Sequence, residues 1–264
     1  MGQLTITDQD GVRHIIISNP PRGYMNAAGA AELVAALREA EADDAVRVVL
    51  FSGGVPGVFI RHYDVSEIVA VAHSVRAAPD APAGERSASP VYALFDGLRA
   101  FPKPTIAAIN GVCMGGGFEF ALSCDIRVAQ NGDYPIGLPE TRLGIIPGVG
   151  GLQLMARVVG LARARELVMR GRAVSPAEAE RLGLVHECAD DAVSTAMAIA
   201  QDLATRPPVG VAAVKRMARL IEGGEGLADG MITAATEFTN TLVANDDAMA
   251  KMQRFLETGE DILG

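Results

Sequence analysis

Basic residues are in short supply: 23 Lys and Arg stand against 32 Asp and Glu among 264 residues, a formal net charge of −9. A nucleic-acid surface needs a clustered Lys/Arg field, so this balance argues against a nucleic-acid partner. Small anionic ligands stay open, because they need only a local patch. Cysteine is equally sparse. Cys113, Cys124 and Cys188 are odd in number and spaced for neither a zinc site nor a disulfide framework. His14, His62, His73 and His186 lack the i, i+4 pairing of a helical metal site. No resident metal or other cofactor is expected. No run approaches the ~20 apolar residues of a membrane span. The opening MGQLTITDQDGVRHIII has no basic segment leading into an apolar run. The expectation is a soluble cytoplasmic protein with no membrane partner.

Hydrophobic residues make up 49% of the chain and charged ones 21%, which suffices for a sizeable core. The length suits one large domain, or a domain with a smaller appendage. Two short apolar runs between Leu4 and Ser18, separated by a turn signal at Asp8 to Gly11, predict a hairpin. Ala30, Leu33, Val34 and Leu37 recur at helical spacing between Ala27 and Ala42, and Val46 to Ser52 is a continuous apolar strand. This is an α/β rhythm. Residues 77–90, AAPDAPAGERSASP, hold nothing that could form a core and are expected to be a mobile surface loop. A short helix should then reach Arg99, with strands at Thr105 to Ile109 and Ile126 to Ala129. One apolar helix is expected from Leu152 to Met169, and Ser175, Pro176 and Glu178 open another. Arg206, Pro207 and Pro208 break the chain, and the residues beyond them are helical in pattern. The division expected is a core over residues 1–205 and a helical appendage over 206–264.

The stretch NGVCMGGGFEFALSCD sets three glycines before a glutamate flanked by Phe118 and Phe120. A P-loop needs Lys and Ser/Thr after its last glycine, where Phe118 and Glu119 stand, and the dinucleotide fingerprint needs a glycine in place of Phe120. What remains for Gly115, Gly116 and Gly117 is to turn from a strand into a helix with backbone N–H groups uncovered, which suits a developing oxyanion. Glu119 lies in a helix that is apolar nearly all round, where an unpaired carboxylate costs several kcal/mol. Burial should raise its pKa toward the range useful in proton transfer. The alternative is a structural glutamate satisfied by backbone or arginine. Glu140, after a proline in a turn, taken alone reads as a solvated helix start.

The runs NGVCMGGGFEFALSCDIRVA and LPETRLGIIPGVGGLQLMARVVG, with ISNPPRGYMNAAGAAEL, VRVVLFSG, PKPTIAAING and SPAEAERLGLVHE, resemble the enoyl-CoA hydratase/isomerase, or crotonase, family over most of the chain. The resemblance implies a spiral of ββα units with a C-terminal helical region that builds trimers, often paired into hexamers. It implies an acyl-CoA thioester substrate, coenzyme A being part of the substrate. Glu119 and Glu140 match the two glutamates with which the family's hydratases add water to a 2-enoyl-CoA: Glu119 would activate water and Glu140 deliver the α-proton. Gly116 matches one oxyanion-hole amide. The other falls in a loop usually like F-C-A-G-A-D, here VFIRHYD, which puts Tyr63 at the donor position. Other reactions of the family stay open: double-bond isomerisation, hydratase-lyase cleavage, carbon–carbon hydrolysis without CoA, or a silent assembly subunit.

That loop also departs from the family. Small residues normally stand where this chain has Ile60, Arg61, His62 and Tyr63, and a histidine lacks the backbone freedom of the glycine it replaces. Arg61 and His62 are expected either to contact substrate or to point into solvent. Arg22, one residue from a position that often contacts the nucleotide, and Met25 join them as substrate-binding candidates. Near the C-terminus FLETGEDILG is acidic where many relatives carry a basic cluster, leaving Lys251 and Arg254 as the nearest cations.

Overall fold

The computed structural model describes residues 2–77, 89–224, 226–243 and 246–258. Strands β1 (Leu4–Gln9) and β2 (Val12–Ile17) form the expected hairpin, with Asp10 and Gly11 at φ 50° and 79°. Two successive residues at positive φ match the right-handed twist of the paired strands. Helix α1 (Ala27–Ala42) has the predicted bounds. Asn26 caps it, its side chain accepting from the Gly29 amide, and Ala30, Leu33 and Leu37 face the core.

The chain then repeats one move. β3 (Val48–Gly53) joins a first sheet and β4 (Val58–Ile60) a second, before α2 (Val65–Ala77) and α3 (Pro90–Ala100). β5 (Thr105–Ile109) joins the first sheet and β6 (Val112–Met114) the second, before α4 (Gly116–Ser123). β7 (Ile126–Gln130) and β8 (Ile136–Gly137) do the same, followed by a 3₁₀ turn (Glu140–Leu143), α5 (Gly151–Val159) and α6 (Leu161–Met169). With β9 (Ala173–Val174), α7 (Pro176–Leu182) and β10 (Glu187–Ala189), the first sheet has the order β1-β2-β3-β5-β7-β10 and the second β4-β6-β8-β9. All neighbours in the first sheet beyond the hairpin are parallel. This is the spiral of ββα units.

Period-two burial explains the layering. Val49, Phe51, Ala107 and Ile109 enter the main core, while Val48, Leu50, Ile106 and Ala108 face the other way. The second set meets Ala192, Ala196 and Ala200, spaced four apart on α8 (Ala192–Ala204), and small side chains let the helix lie close on the sheet. Both faces of the first sheet are therefore covered, as parallel strands require.

Two segments differ from expectation. Leu152 to Met169 is not one helix, because Gly160 at φ 79° separates α5 from α6. The expected loop over residues 77–90 is corrected at both ends, where Ala77 closes α2, Ser89 caps α3 and Pro90 begins it. Its remainder, residues 78–88, lies outside the described residues. Beyond Pro207 the chain forms α9 (Pro208–Glu222), α10 (Leu227–Val243) and α11 (Asp246–Thr258). Lys215 of α9 donates to Asp125 Oδ2 at 2.6 Å and to the Lys103 carbonyl at 2.8 Å, tying α9 to the start of β5. Among the described residues no helix is long and apolar enough to cross a membrane.

Candidate active site

The triple glycine has a separate reason at each position. Gly115 adopts φ 52°, ψ −130°, a conformation strained for any residue with a β-carbon. A β-carbon on Gly117 would lie 2.1 Å from the Ile60 carbonyl oxygen, so this approach of α4 to β4 admits glycine only. Gly116 lies between them with its amide at the first position of α4, where no intrahelical acceptor exists.

The phenylalanines beside Glu119 hold the helix in place. Phe118 and Phe120 are fully buried, and the Phe120 ring meets Phe51 edge-on, centroids 5.0 Å apart, with Phe59 and Phe95 also against it. An edge-on pair adds about 0.5–1.5 kcal/mol beyond its buried area. At the other end of α4, the buried Arg127 guanidinium donates to the Ala121 and Cys124 carbonyls, placing a cation at the negative end of the helix dipole. These contacts fix the roll of the helix and so the direction of Glu119.

Glu119 is 3% exposed. Its Oε1 accepts from the Val149 amide at 3.0 Å and the Gly151 amide at 2.8 Å. Burial raises its pKa, while these amides and the nearby Arg99 pull the other way. Two readings that the sequence set against each other are both present: a backbone-satisfied carboxylate, and one whose affinity for protons is raised. The donor loop owes its fit to glycine, since a β-carbon on Gly151 would lie 2.8 Å from Glu119 Cγ. Arg99 donates to the Val149 carbonyl at 3.2 Å, bracing the loop from its other side. Tyr92, Phe95, Arg99 and Leu154 line an open cleft of about 420 Å³ along the same loop.

Glu140 opens the 3₁₀ turn, as a helix start, yet it is not solvated as the isolated motif suggests. Its Oε2 is buried with no hydrogen-bond partner. Burial, with the like charge of Glu119 adding to it, raises its pKa to about 7. A β-carbon on Gly115 would lie 3.2 Å from Glu140 Oε1, so the carboxylate rests against the glycine turn.

Tyr63 completes the constellation. A β-carbon on Gly116 would lie 3.2 Å from Tyr63 Cβ, 3.5 Å from Tyr63 N and 3.6 Å from Met25 Cε. The Tyr63 backbone is pinned on both flanks: the Met25 amide donates to the His62 carbonyl at 2.9 Å, and the Asp64 amide to the Met25 carbonyl at 2.7 Å. Among the described residues, neither the Tyr63 nor the Gly116 amide has an acceptor. Two free donors thus lie side by side next to two carboxylates of raised pKa.

The remaining candidates gather at one edge. The Tyr24 and His62 rings stack with centroids 4.4 Å apart, and Arg22 donates to the Tyr24 hydroxyl at 3.1 Å. Arg61 Nε donates to the Arg22 carbonyl at 3.0 Å, and His62 Nδ1 to the Tyr63 carbonyl at 2.7 Å. Neither side chain swings freely in solvent. Among the described residues only Asp10 of the non-glycines has positive φ, so His62 carries no left-handed strain where the family has glycine. Met25 is 2% exposed, a core residue whose tip reaches the Gly116 turn. Arg22 is exposed. The Val149 and Gly151 donors were missed from sequence, although the GVGG run at residues 148–151 carried a signal for them.

Comparison with known proteins agrees with this geometry. The enoyl-CoA hydratase/isomerase family model matches residues 7–261. The chain is 37% identical over 208 residues to the human mitochondrial enoyl-CoA hydratase domain-containing protein 2, covering 76% of this chain and 68% of that protein. The crystal structure of an enoyl-CoA hydratase from Bacillus anthracis superposes with a TM-score of 0.85 at 27% identity, over 97% of this chain and 96% of the other. An enoyl-CoA hydratase structure from Thermoplasma volcanium matches at a TM-score of 0.84 and 28% identity, over 97% and 98%. With a strand-to-helix glycine turn whose free Gly116 amide lies beside that of Tyr63, set in a fold that superposes on these structures, the chain belongs to the enoyl-CoA hydratase/isomerase, or crotonase, family.

Proposed function

We propose that the protein is an enoyl-CoA hydratase that adds water syn across the double bond of a 2-enoyl-CoA thioester. The observation carrying this reading is the pairing of two carboxylates in unlike surroundings beside two unengaged amides. Glu119, with Oε1 held by two amides, takes a proton from water through its other oxygen as the water oxygen bonds to carbon 3. The thioester oxygen gains negative charge and accepts from the Gly116 and Tyr63 amides. Carbon 2 takes its proton from Glu140, whose pKa of about 7 leaves it substantially protonated at neutral pH. Water is thereby divided between the two carbons, and proton exchange resets both glutamates. Other reactions of the family frequently dispense with one of the two carboxylates; keeping both supports hydration.

Arg22, Arg61 and His62 cluster with Tyr24 in the segments next to Tyr63, which supports a role for them in holding the CoA portion. Met231, Ile232 and Phe238 of α10 are each about two-thirds exposed. So much bare apolar surface on one helix supports assembly into trimers, or pairs of trimers, through the C-terminal helices.

Incubation with a four-carbon 2-enoyl-CoA tests the reading. Loss of the conjugated thioester absorbance, with a 3-hydroxyacyl-CoA identified by NMR, is expected. Formation of a 3-enoyl isomer or a cleaved acyl chain instead would assign a different reaction, and failure to bind any acyl-CoA would remove thioesters from consideration.

A further inference from the structure

Glu67 belongs to none of the roles above, yet three elements meet on it. It lies in the first turn of α2, and its Oε2 accepts from the Ala27 amide at 2.9 Å, at the first position of α1. The same oxygen accepts from the Tyr63 hydroxyl. Burial, and then this carboxylate, push the Tyr63 phenol well above its ordinary range, so the phenol stays a donor at any physiological pH. Helix α2 buries no residue of its own, so its first turn is kept in place by polar contacts rather than by a core.

We propose that Glu67 is a positioning residue: by holding the Tyr63 side chain to α1 it fixes the plane of the Tyr63 peptide and aims its amide at the thioester oxygen. The inference rests on the hydratase reading. At Gly116 the donor is oriented by a helix start. Tyr63 lies in a short connection between β4 and α2, where the peptide that carries its amide is held through one hydrogen bond, from the Met25 amide to the His62 carbonyl, about which it can still tilt. A small side chain at 63 offers no handle against that tilt. A tyrosine does, provided that something at the end of its ring holds it. Glu67 is that acceptor, and it is itself immobilised by the amide at the start of α1.

The chain contains four tyrosines, Tyr24, Tyr63, Tyr92 and Tyr134, so labelling with 15N-tyrosine gives four amide peaks, and Tyr63→Phe identifies the one that belongs to residue 63. In ligand-free Glu67→Ala that peak should move or broaden while those of Tyr92 and Tyr134 stay in place. With substrate, kcat should fall about tenfold at a KM within about twofold of wild type, as expected for a misaimed group rather than lost binding. The carbonyl stretch of bound thioester should move back toward its free value. Glu67→Gln, whose amide oxygen still accepts both hydrogen bonds, should recover most of each effect. Tyr63→Phe cuts the same contact while sparing Glu67 and Ala27, and should reproduce the kcat loss even if Glu67→Ala does not fold.

An unmoved Tyr63 peak in Glu67→Ala would overturn the proposal, as would a moved peak with unchanged kcat and carbonyl stretch. If wild type neither binds nor hydrates acyl-CoA, the hydratase reading fails by itself, and the ligand-free spectra still decide whether Glu67 positions the amide.

Discussion

The loop that holds Glu119 and the turn that carries Glu140 give one side chain two different characters. Around Glu119, the Val149 and Gly151 amides supply hydrogen bonds to the charged form, so a carboxylate only 3% exposed can still ionise. Around Glu140, one oxygen is buried without any donor, and the pKa rises to about 7. In the proposed hydration, a base that must be charged and an acid that must be neutral at one pH cannot share an environment. The fold separates them by aiming two amides of a distant loop at Glu119 and leaving one buried oxygen of Glu140 without a donor.

The sharpest break of this contrast is Glu119→Gln, which removes the proposed base while leaving an oxygen for the two amides. The expected loss in kcat is about 10³-fold, within the range for positioned acid–base groups. A loss under tenfold would remove Glu119 from the chemistry. Gly151→Ala addresses the amides themselves, because the new methyl would press on Glu119 Cγ and on Pro147 Cβ, each at 2.8 Å. Displacing Glu119 in this way should lower kcat about 10²-fold with little change in KM. An unchanged kcat in steady-state assays would mean that the loop yields and the Glu119 contact is dispensable.

The proposed acid has its own signature. As pH rises through about 7, Glu140 loses its proton, so kcat should decline on that limb. Glu140→Gln should be slow at every pH and lack the decline. A wild-type profile flat to pH 9 would contradict a protonated Glu140.

The smallest effect is on stability. Folding raises the Glu140 pKa from 4.5, so the native state keeps a proton that the unfolded chain releases. This contribution is complete below about 4.5 and is lost as pH climbs toward about 7. Between pH 5 and pH 8 the melting temperature of Glu140→Gln should therefore gain on that of wild type, by about 2–4 °C for each kcal/mol. Calorimetry showing the same difference at both pH values would place the Glu140 pKa near its ordinary value.

Where local pattern and tertiary demand coincide, the elements were legible. Helix α1 and strand β5 fall at the predicted residues and α4 follows the predicted glycine turn, because apolar spacing, flanking prolines and glycines all point one way. Helix α2 went unread although Val65, Ile68, Val69 and Ala72 recur at helical spacing: Ala70, Val71 and Val75 make the run apolar on most sides, and it buries no residue, so no single face stands out. The helix read from Leu152 to Met169 failed at Gly160, whose left-handed φ outweighs an uninterrupted apolar pattern. At the site, Glu119 stood out as a carboxylate among phenylalanines. Glu140 did not, since nothing in LPETRLG tells a buried turn from a solvated one. The amides of Val149 and Gly151 lie some thirty residues from the side chain they serve.

The sequence alone determined the α/β character, the glycine turn and the presence of a buried glutamate, because each arises from spacing and from the steric limits of a few residues in a row. Only the tertiary structure decided which glutamate receives backbone amides and which is left with an orphaned oxygen, and that the Tyr63 side chain ends on Glu67. These depend on the approach of segments far apart in the chain. A proton's affinity for a carboxylate is set by what surrounds it in space, which no local pattern records.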